Sequence, residues 1–489
     1  MELNTTEYDL TFVHLNDIHG RVNGESNGID ISKFFTFLKE LRKNKNNGKV
    51  FLIDSGDTLH GTPFANLSKG ESIIELFNLL QWDYTTLGNH DFNYGYEHLK
   101  KLLSLQNYKT LALNLVDSNS SKNLLPFDIV NINGINICFF GIITPETYYK
   151  TNFKNIKDLK IENPEISFKK LLKKLKNKNI HFYIGITHLG LDKSTKNIYQ
   201  SLNLAQKFPE INILFDGHSH TEINDKYIVN NTLISQTGNY NKKFALIQVK
   251  LSAKNKAHSF TYKLLGNSDI EHYQSDDEIK NKIKKIQNLQ KSIINTTIGT
   301  TSISLIGDRE LVRRSETNLT HLVTDAILWK TNCDAVLING GSIRDSIAQG
   351  DITIGDIINS LPFGNSIVTK MIKGYDLKIA LENGLKAYPE SLGAMAQIAG
   401  MEVLFNPDKP PYERVSEVYL GKKPILSDSD YCIAITDFMA LGGEEYASLV
   451  SGKEVDHYPC VENIVIEYIK TFGIPVQNNI FPRLIITSN

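Results

Sequence analysis

The sequence predicts an α/β protein, with a layered α/β domain in its first half and a smaller α+β domain in its second half. Three observations support this fold class. Short apolar runs alternate with amphipathic helical stretches in the first half, and polar residues follow several of those runs directly. A strongly polar segment near residues 276–298 then separates two regions of different character. The length of 489 residues is enough for two or three domains.

The apolar runs of the first half have the length of β-strands. They lie at residues 10–15, 50–53, 84–87, 135–143, 181–186 and 211–215. Between them, apolar residues at intervals of three and four predict helices over residues 32–41, 71–80 and 168–175.

A helix is predicted to link the two domains. Ile279, Ile283, Ile286 and Ile293 keep an approximately helical spacing within the polar segment. Beyond it we expect a helix near residues 318–330 and a strand at 336–338, followed by several further strands. The predicted limits are therefore 1–273 for the first domain, 274–298 for the linker helix and 299–489 for the second domain.

The composition excludes several classes of protein. Hydrophobic residues make up 41% and charged residues 22%, as in an ordinary globular protein. The 53 Lys and Arg residues nearly balance the 54 Asp and Glu residues, so the net charge of −1 provides no general attraction for a nucleic acid polymer. No window approaches 18 consecutive apolar residues, so no membrane span is predicted.

The cysteines and the chain ends bear on the cellular compartment. The four cysteines are far apart and form no CxxC pair, so we expect buried free thiols, with one long-range disulfide left open. The first residues show no basic and apolar export signal, and the last show no anchor. We expect a cytoplasmic protein if the chain is complete, and a secreted or cell-surface protein if an export signal has been removed.

Polar residues follow the predicted strands at five places. The strings are HLNDIHG with Asp17 and His19, IDSGDTLHG with Asp54 and Asp57, LGNHD with Asn89, His90 and Asp91, ITHLG with His188, and DGHSHT with His218 and His220. Because ligand sites of α/β sheets lie beyond the carboxyl ends of strands, we expect these loops to form one site. A lone histidine is more often a structural residue than a ligand, so the prediction of one site depends on all five strings together. We assign the remaining histidines to structural roles and leave only His60 open.

The mixture of ligand atoms indicates divalent metal ions. Carboxylate, amide and imidazole groups together suit zinc, manganese or iron better than calcium. More ligands are available than one ion needs, and two ions sharing a carboxylate would neutralise a phosphate and acidify a bound water. The site therefore predicts hydrolysis of a phosphoester.

The ordered set of DxH, GD, GNH, a single His and GHxH resembles the calcineurin-like metallophosphoesterases. The strings are similar to the two-domain 5'-nucleotidase branch over nearly the whole chain. The resemblance implies a four-layer β-sandwich flanked by helices, with a linker helix and a C-terminal substrate-binding domain. It also implies two divalent ions, one held by Asp17, His19, Asp57 and His220, and the other by Asp57, Asn89, His188 and His218. Asp57 would bridge the ions, and His90 would stabilise the transition state and protonate the leaving oxygen.

The second domain contains strings that are similar to the nucleotide-binding segments of that family. They are RRSETN, NGGSIR, LPFGN and ITDFMALGGEEY. The resemblance implies that Phe363 and Phe438 stack on the base, and it implies phosphate or base contacts for Arg313, Asn339 and Arg344. Glu444 stands where the family commonly has Asp. Taken without the resemblance, Asn-Gly-Gly is an ordinary turn and either phenylalanine is a core residue.

One departure from the family pattern leaves the substrate open. The chain reads GNHDFN, so Asn93 stands where the branch usually has the carboxylate that partners His90. The form GNHxFN also occurs in related 2',3'-cyclic-nucleotide phosphodiesterases with 3'-nucleotidase activity. We expect a 5'-nucleotidase that hydrolyses nucleoside 5'-monophosphates to a nucleoside and phosphate. A cyclic-nucleotide phosphodiesterase, a nucleotide-sugar hydrolase and a catalytically silent nucleotide sensor remain alternatives.

Overall fold

The protein forms two compact units in a computed structural model. The structure describes residues 9–22, 28–116, 123–151, 155–192, 195–251, 259–474 and 481–487. The first unit comprises Met1–Tyr148 and Lys154–Leu289, and the second comprises Tyr149–Phe153 and Gln290–Asn489. The domain limits at residues 273 and 299 stay predictions.

The first unit contains two mixed sheets. The strands of the seven-stranded sheet are, from edge to edge, Ser259–Gly266, Lys243–Lys250, Leu10–Leu15, Lys49–Asp54, Tyr84–Thr85, Lys109–Leu111 and Leu124–Leu125. Those of the six-stranded sheet are Tyr227–Val229, Thr232–Ser235, Ile211–Phe215, Phe182–His188, Ile135–Ile143 and Phe127–Ile132. Leu115–Val116 and Lys160–Ile161 form a small separate pair. All six predicted strands are confirmed, the third of them shortened to Tyr84–Thr85.

The strand Leu10–Leu15 shows how the layers pack, because its side chains alternate between two cores. Phe12 is fully buried against Phe139 and Phe215 of the other sheet, with ring centroids 6.4 and 5.2 Å apart. Val13 and Leu15 belong instead to a core formed with helices. The predicted sandwich of two sheets flanked by helices is therefore confirmed.

Helices cover the outer faces of these sheets. Their bounds in the first unit and the link are Ile31–Lys43, Pro63–Asn66, Glu71–Leu80, Tyr96–Leu105, Thr147–Lys150, Pro164–Leu175, Ser201–Lys207, Asn267–Ile270 and Asp277–Ile294. Asp30 caps the N-terminus of the first helix, because its carboxylate accepts a hydrogen bond from the backbone N–H of Ser32 at 2.9 Å.

The predicted linker helix forms over Asp277–Ile294. Ile279, Ile283 and Ile286 are buried in the core of the first unit, whereas Ile293 is half exposed. The spacing seen in the sequence therefore reflects packing of this helix on the first unit.

The second unit has its own core, and its described residues form three sheets. The five-stranded sheet runs Ala396–Ala399, Ala335–Asn339, Asp430–Thr436, Ser366–Lys373 and Lys453–Cys460. The four-stranded sheet runs Lys423–Pro424, Val415–Leu420, Met401–Phe405 and Leu484–Ile486, and Thr297–Thr301 pairs with Gly350–Thr353. The helices are Arg309–Val312, Asn318–Thr331, Ile354–Ser360, Gly374–Leu385, Asp437–Ala440 and Val461–Phe472.

All four cysteines are free thiols, and the sulfur atoms of Cys333 and Cys432 lie 2.8 Å apart. Among the described residues, no helix combines the length and the apolar character needed to cross a membrane.

Candidate active site

Seven predicted ligands lie beyond the carboxyl ends of parallel strands in the first unit. The strands concerned are Leu10–Leu15, Lys49–Asp54 and Tyr84–Thr85 in one sheet, and Phe182–His188 and Ile211–Phe215 in the other. The side chains that follow or end these strands are Asp17, His19, Asp57, Asn89, His188, His218 and His220. The two packed sheets thus bring together residues that lie up to 203 positions apart, from 17 to 220.

One group of potential ligands consists of Asp17, His19 and His220. The Nε2 atoms of the two histidines lie 3.3 Å apart, and Asp17 Oδ1 lies 3.4 Å from His220 Nε2 and 3.9 Å from His19 Nε2. His220 Nδ1 lies 2.7 Å from the side-chain amide of Asn239, which orients the ring. These three side chains could hold one cation.

A second group consists of Asp57, His188 and His218. His188 Nε2 lies 3.2 Å from Asp57 Oδ2, and His218 Nδ1 lies 2.9 Å from Asn89 Oδ1. The opposite nitrogen of His188 donates a hydrogen bond to the Ser55 carbonyl oxygen at 2.7 Å, so Nε2 is directed into the site. With Asn89, this group offers four ligands for a second cation.

Two buried atoms show that the pocket suits cations. Asp17 Oδ1 and His188 Nε2 make no hydrogen bond, although they lie only 4.0 Å apart. Asp17 Oδ2 accepts hydrogen bonds from the backbone N–H of His218 at 3.0 Å and from the side-chain amide of Asn16 at 2.7 Å. Their near neighbours are other potential ligands, His220 Nε2 at 3.4 Å from Asp17 Oδ1 and Asp57 Oδ2 at 3.2 Å from His188 Nε2. A metal ion among these atoms would give both of them a bond.

Five of the seven predicted ligands have left-handed backbone conformations. The φ angles are 49° at Asp17, 48° at His19, 56° at Asp57, 80° at His218 and 58° at His220. Each such conformation costs roughly 1–3 kcal/mol in a residue other than glycine. The loops therefore maintain strained turns that place these side chains in one cluster.

The loop that carries Asp57 is held by Asp91. The Asp91 carboxylate accepts hydrogen bonds from the backbone N–H groups of Asp57, Thr58, Leu59 and Gly88, at 2.8 to 3.0 Å. Gly88 must lack a side chain, because a Cβ there would lie 2.1 Å from Asp57 Oδ1. Asp91 and Gly88 therefore have structural roles.

The charges of these side chains favour ionised carboxylates. Burial acts to raise the pKa of Asp17, but His220 and His188 outweigh it and lower that pKa to about 2. Burial acts to lower the pKa of His188, but Asp57 and Asp17 raise it to about 10. A cation bound at His188 Nε2 would take the place of a proton on that nitrogen.

His90 lies beside this cluster. Its backbone N–H donates to Asp57 Oδ1 at 2.7 Å, and its ring centroid lies 5.7 Å from that of His19. Asn93 Nδ2 lies 3.4 Å from His90 Nδ1, so the two side chains are close enough to interact. The buried ring of His60 lies 6.1 Å from that of His90, measured between centroids.

Sequence reasoning missed two residues at this site, Glu146 and Asn239. Glu146 is 1% exposed, and its Oε2 lies 3.2 Å from His218 Nε2. It follows the strand Ile135–Ile143 in the string ITPET, so a polar residue after a strand was a usable signal. Asn239 lies beyond the short strand Thr232–Ser235, which was not among the predicted strands, so no predicted strand end marked it.

The second unit contains the predicted substrate-binding residues. The Arg344 guanidinium lies 4.8 Å from the centre of the Phe363 ring. Glu444 is close to Lys150, with 3.4 Å between Oε2 and Nζ. Burial acts to raise the pKa of Glu444, but Lys150, Arg313 and Arg344 lower it. Arg313, Arg344 and Glu444 therefore form one electrostatic cluster.

Asn339 and Phe438 are held by neighbouring backbone. Asn339 is 3% exposed, and its amide donates to the Gly393 carbonyl oxygen at 3.3 Å while accepting a hydrogen bond from Ser342. The Phe438 ring packs on Gly443, where a Cβ would lie 2.5 Å from the ring. Both residues are thus fixed in place, and their substrate contacts stay predictions.

Comparison with known families covers both units. The sequence model of the family described as calcineurin-like phosphoesterase matches residues 10–222, and that of the 5'-nucleotidase C-terminal domain matches residues 297–451. In a crystal structure, the 5'-nucleotidase precursor from Thermus thermophilus superposes with a TM-score of 0.81 at 25% identity. That comparison covers 98% of this chain and 99% of the other.

Three curated relatives show how far the likeness extends. The chain is 27% identical over 90% of its length to the 5'-nucleotidase of Vibrio cholerae serotype O1, and covers 86% of that protein. It is 26% identical over 98% of its length to the trifunctional nucleotide phosphoesterase protein YfkN of Bacillus subtilis (strain 168). The chain spans only 35% of YfkN, and 40% of the endonuclease YhcR of the same bacterium.

Fold and site define the class as the calcineurin-like metallophosphoesterases, which are phosphoric ester hydrolases with a dinuclear metal centre. Within that class, the chain belongs to the two-domain 5'-nucleotidase family.

Proposed function

We propose that this protein hydrolyses nucleoside 5'-monophosphates to a nucleoside and phosphate. The observation that carries the proposal is the gathering of seven ligand-type side chains into two adjoining groups. The match of the second unit to the 5'-nucleotidase C-terminal domain supports a nucleotide as the substrate.

We assign the two groups to two divalent ions of zinc, manganese or iron. Asp17, His19 and His220 would hold one ion, Asn89, His188 and His218 would hold the other, and Asp57 would bridge them. Two such ions supply charge neutralisation for the phosphate and acidify a water molecule.

His90 is assigned the stabilisation of the transition state and protonation of the leaving oxygen. Its backbone is anchored to the proposed bridging carboxylate of Asp57, so its position is tied to that of the metal centre. Asn93, 3.4 Å from Nδ1, would orient the ring and leave Nε2 for the substrate.

The nucleoside is assigned to the second unit. Phe363 and Phe438 would stack on the base, which tolerates any base because every base has a π-face. Arg313, Arg344 and Asn339 would bind phosphate or base, and the ionised Glu444 would accept hydrogen bonds from substrate hydroxyl groups.

A substrate panel tests the proposal. The protein is stripped with a chelator and reloaded separately with Zn²⁺, Mn²⁺ or Fe²⁺. Phosphate release is measured from nucleoside 5'-monophosphates and 3'-monophosphates, and the nucleotide products of 2',3'-cyclic nucleotides and nucleotide sugars are separated and quantified by chromatography. The largest kcat/KM is expected for a 5'-monophosphate. Turnover of the other substrates with none of the 5'-monophosphates would contradict the proposal.

A 2',3'-cyclic-nucleotide phosphodiesterase is the second candidate. The neutral Asn93 beside His90 favours it, because the related phosphodiesterases share the form GNHxFN. The same panel separates the two candidates by the ratio of kcat/KM for cyclic nucleotide and 5'-monophosphate.

A further inference from the structure

Glu146 is a buried carboxylate in contact with a proposed metal ligand. It follows the strand Ile135–Ile143 and is 1% exposed. Its Oε1 accepts a hydrogen bond from the backbone N–H of Lys196 at 2.8 Å, and its Oε2 lies 3.2 Å from His218 Nε2. One oxygen thus secures the side chain, and the other faces the imidazole.

The two nitrogens of His218 face different partners. Nδ1 lies 2.9 Å from Asn89 Oδ1, on the side of the ring where the proposed ligands gather. Nε2 faces Glu146. Asn89 Oδ1 and the Glu146 carboxylate both accept hydrogen bonds, so each ring nitrogen faces an acceptor. A cation held by Nδ1 and Asn89 Oδ1 would take the place of a proton on Nδ1, and the proton that the ring keeps would then lie on Nε2, opposite Glu146.

His188 and His220 also have a partner at Nδ1, but these partners differ from Glu146 in charge. His188 donates from Nδ1 to the Ser55 backbone carbonyl, and His220 Nδ1 faces the Asn239 amide. Both of those partners are neutral. A carboxylate makes the imidazole a stronger donor to a metal ion and adds negative charge near it.

We propose that Glu146 is a positioning residue of the metal centre, which fixes the tautomer and orientation of His218 and strengthens binding of the cation held by Asp57, Asn89, His188 and His218. This inference rests on the proposed function, because it needs those residues to bind a metal ion.

The substitution Glu146→Gln tests this role. Glutamine keeps the length of the side chain and an oxygen for the Lys196 N–H, but it removes the charge beside His218. Metal binding is measured without substrate, by titrating the stripped protein with Zn²⁺ or Mn²⁺ in competition with a chromophoric chelator. The dissociation constant of one of the two ions is expected to rise about 10- to 100-fold. Glu162→Gln is the matched control, since Glu162 bonds Ser167 and Lys170 and no proposed ligand.

Further measurements separate the outcomes. Circular dichroism checks folding, and Glu146→Asp, which keeps the charge but shortens the side chain, is expected to weaken the same ion less than Glu146→Gln. The visible spectrum of the Co²⁺-loaded protein should change in Glu146→Gln and not in Glu162→Gln. Wild-type affinity for both ions in correctly folded Glu146→Gln would overturn the role of Glu146 alone. A wild-type protein that binds no second ion would overturn the proposed metal centre and this inference with it.

Discussion

The Nε2 atom of His188 lies 3.2 Å from Oδ2 of Asp57, and both side chains are buried. Asp57 follows a strand of one sheet and His188 ends a strand of the other, so their approach depends on the packing of the two sheets. The contact places an imidazole of the six-stranded sheet against the carboxylate proposed to bridge two metal ions.

Asp57→Asn and His188→Ala are expected to remove turnover and lower metal content. Losing one ligand should cost several kcal/mol of transition-state stabilisation, which corresponds to a fall in kcat of about 1,000-fold or more. Metal analysis of the purified variants, together with phosphate release, checks this. His98→Ala is the control, because that histidine bonds the Lys69 carbonyl oxygen and contacts the Tyr94 ring, and it is not a proposed ligand. Activity near wild type at ordinary metal concentrations would refute the assignment.

Phe363→Ala and Phe438→Ala are expected to weaken nucleotide binding. Each stacked aromatic residue contributes about 1–3 kcal/mol, so KM should rise about 5- to 150-fold for a nucleotide. Hydrolysis of a small aryl phosphate should change little, because it has no base to stack. Trp329→Ala, which removes an aromatic residue packed on Tyr468 and Phe472, is the control. Equal losses on both substrates would mean that the phenylalanines are structural.

Asn93→Asp is expected to shift the alkaline limb of the pH–rate profile upward. A carboxylate 3.4 Å from His90 would favour imidazolium and raise its pKa, whereas the amide adds no charge. Profiles of kcat/KM for the fully metallated variant and wild type check this. Asn131→Asp, which adds the same charge at an exposed position, should leave the limb in place. If the alkaline limb of the Asn93→Asp profile stays in place or moves to lower pH, His90 is not the acid or is not paired with residue 93.

The buried carboxyl of Asp54 is expected to make the free energy of unfolding depend on pH. Burial is the largest cause that raises the pKa of this carboxyl from 3.8 to about 8, and the nearby Asp91 is the next. The folded state therefore binds the proton more tightly than the unfolded state. The stability that this proton contributes is complete below pH 3.8 and is lost as the pH rises towards 8.

The variant Asp54→Asn isolates this contribution. The free energy of unfolding of wild type should fall by about 1.4 kcal/mol per pH unit from this group over that window, and Asp54→Asn should lack this decline. Urea unfolding of metal-free protein at several pH values measures the difference. Asp225→Asn, at an exposed position, is the control. Parallel profiles for wild type and Asp54→Asn would contradict the raised pKa.

The sequence alone determined the strands and the residues that follow them. A short apolar run predicted the strand Leu10–Leu15, and helical spacing of isoleucines predicted the helix seen over Asp277–Ile294, because residues close in the chain determine both patterns. The polar strings after the strands indicated the candidate ligands, since the ends of strands carry the sites of such sheets.

Only the tertiary structure decided how these residues meet. Glu146 and His218 are 72 positions apart, and their contact depends on the paths of two loops that no periodicity specifies. The burial of Ile279 against the first unit likewise follows from packing, although its spacing alone predicted only a linker. Side-chain partners such as the Ser55 carbonyl for His188 are set by distances of a few ångströms, which the fold determines and local sequence does not.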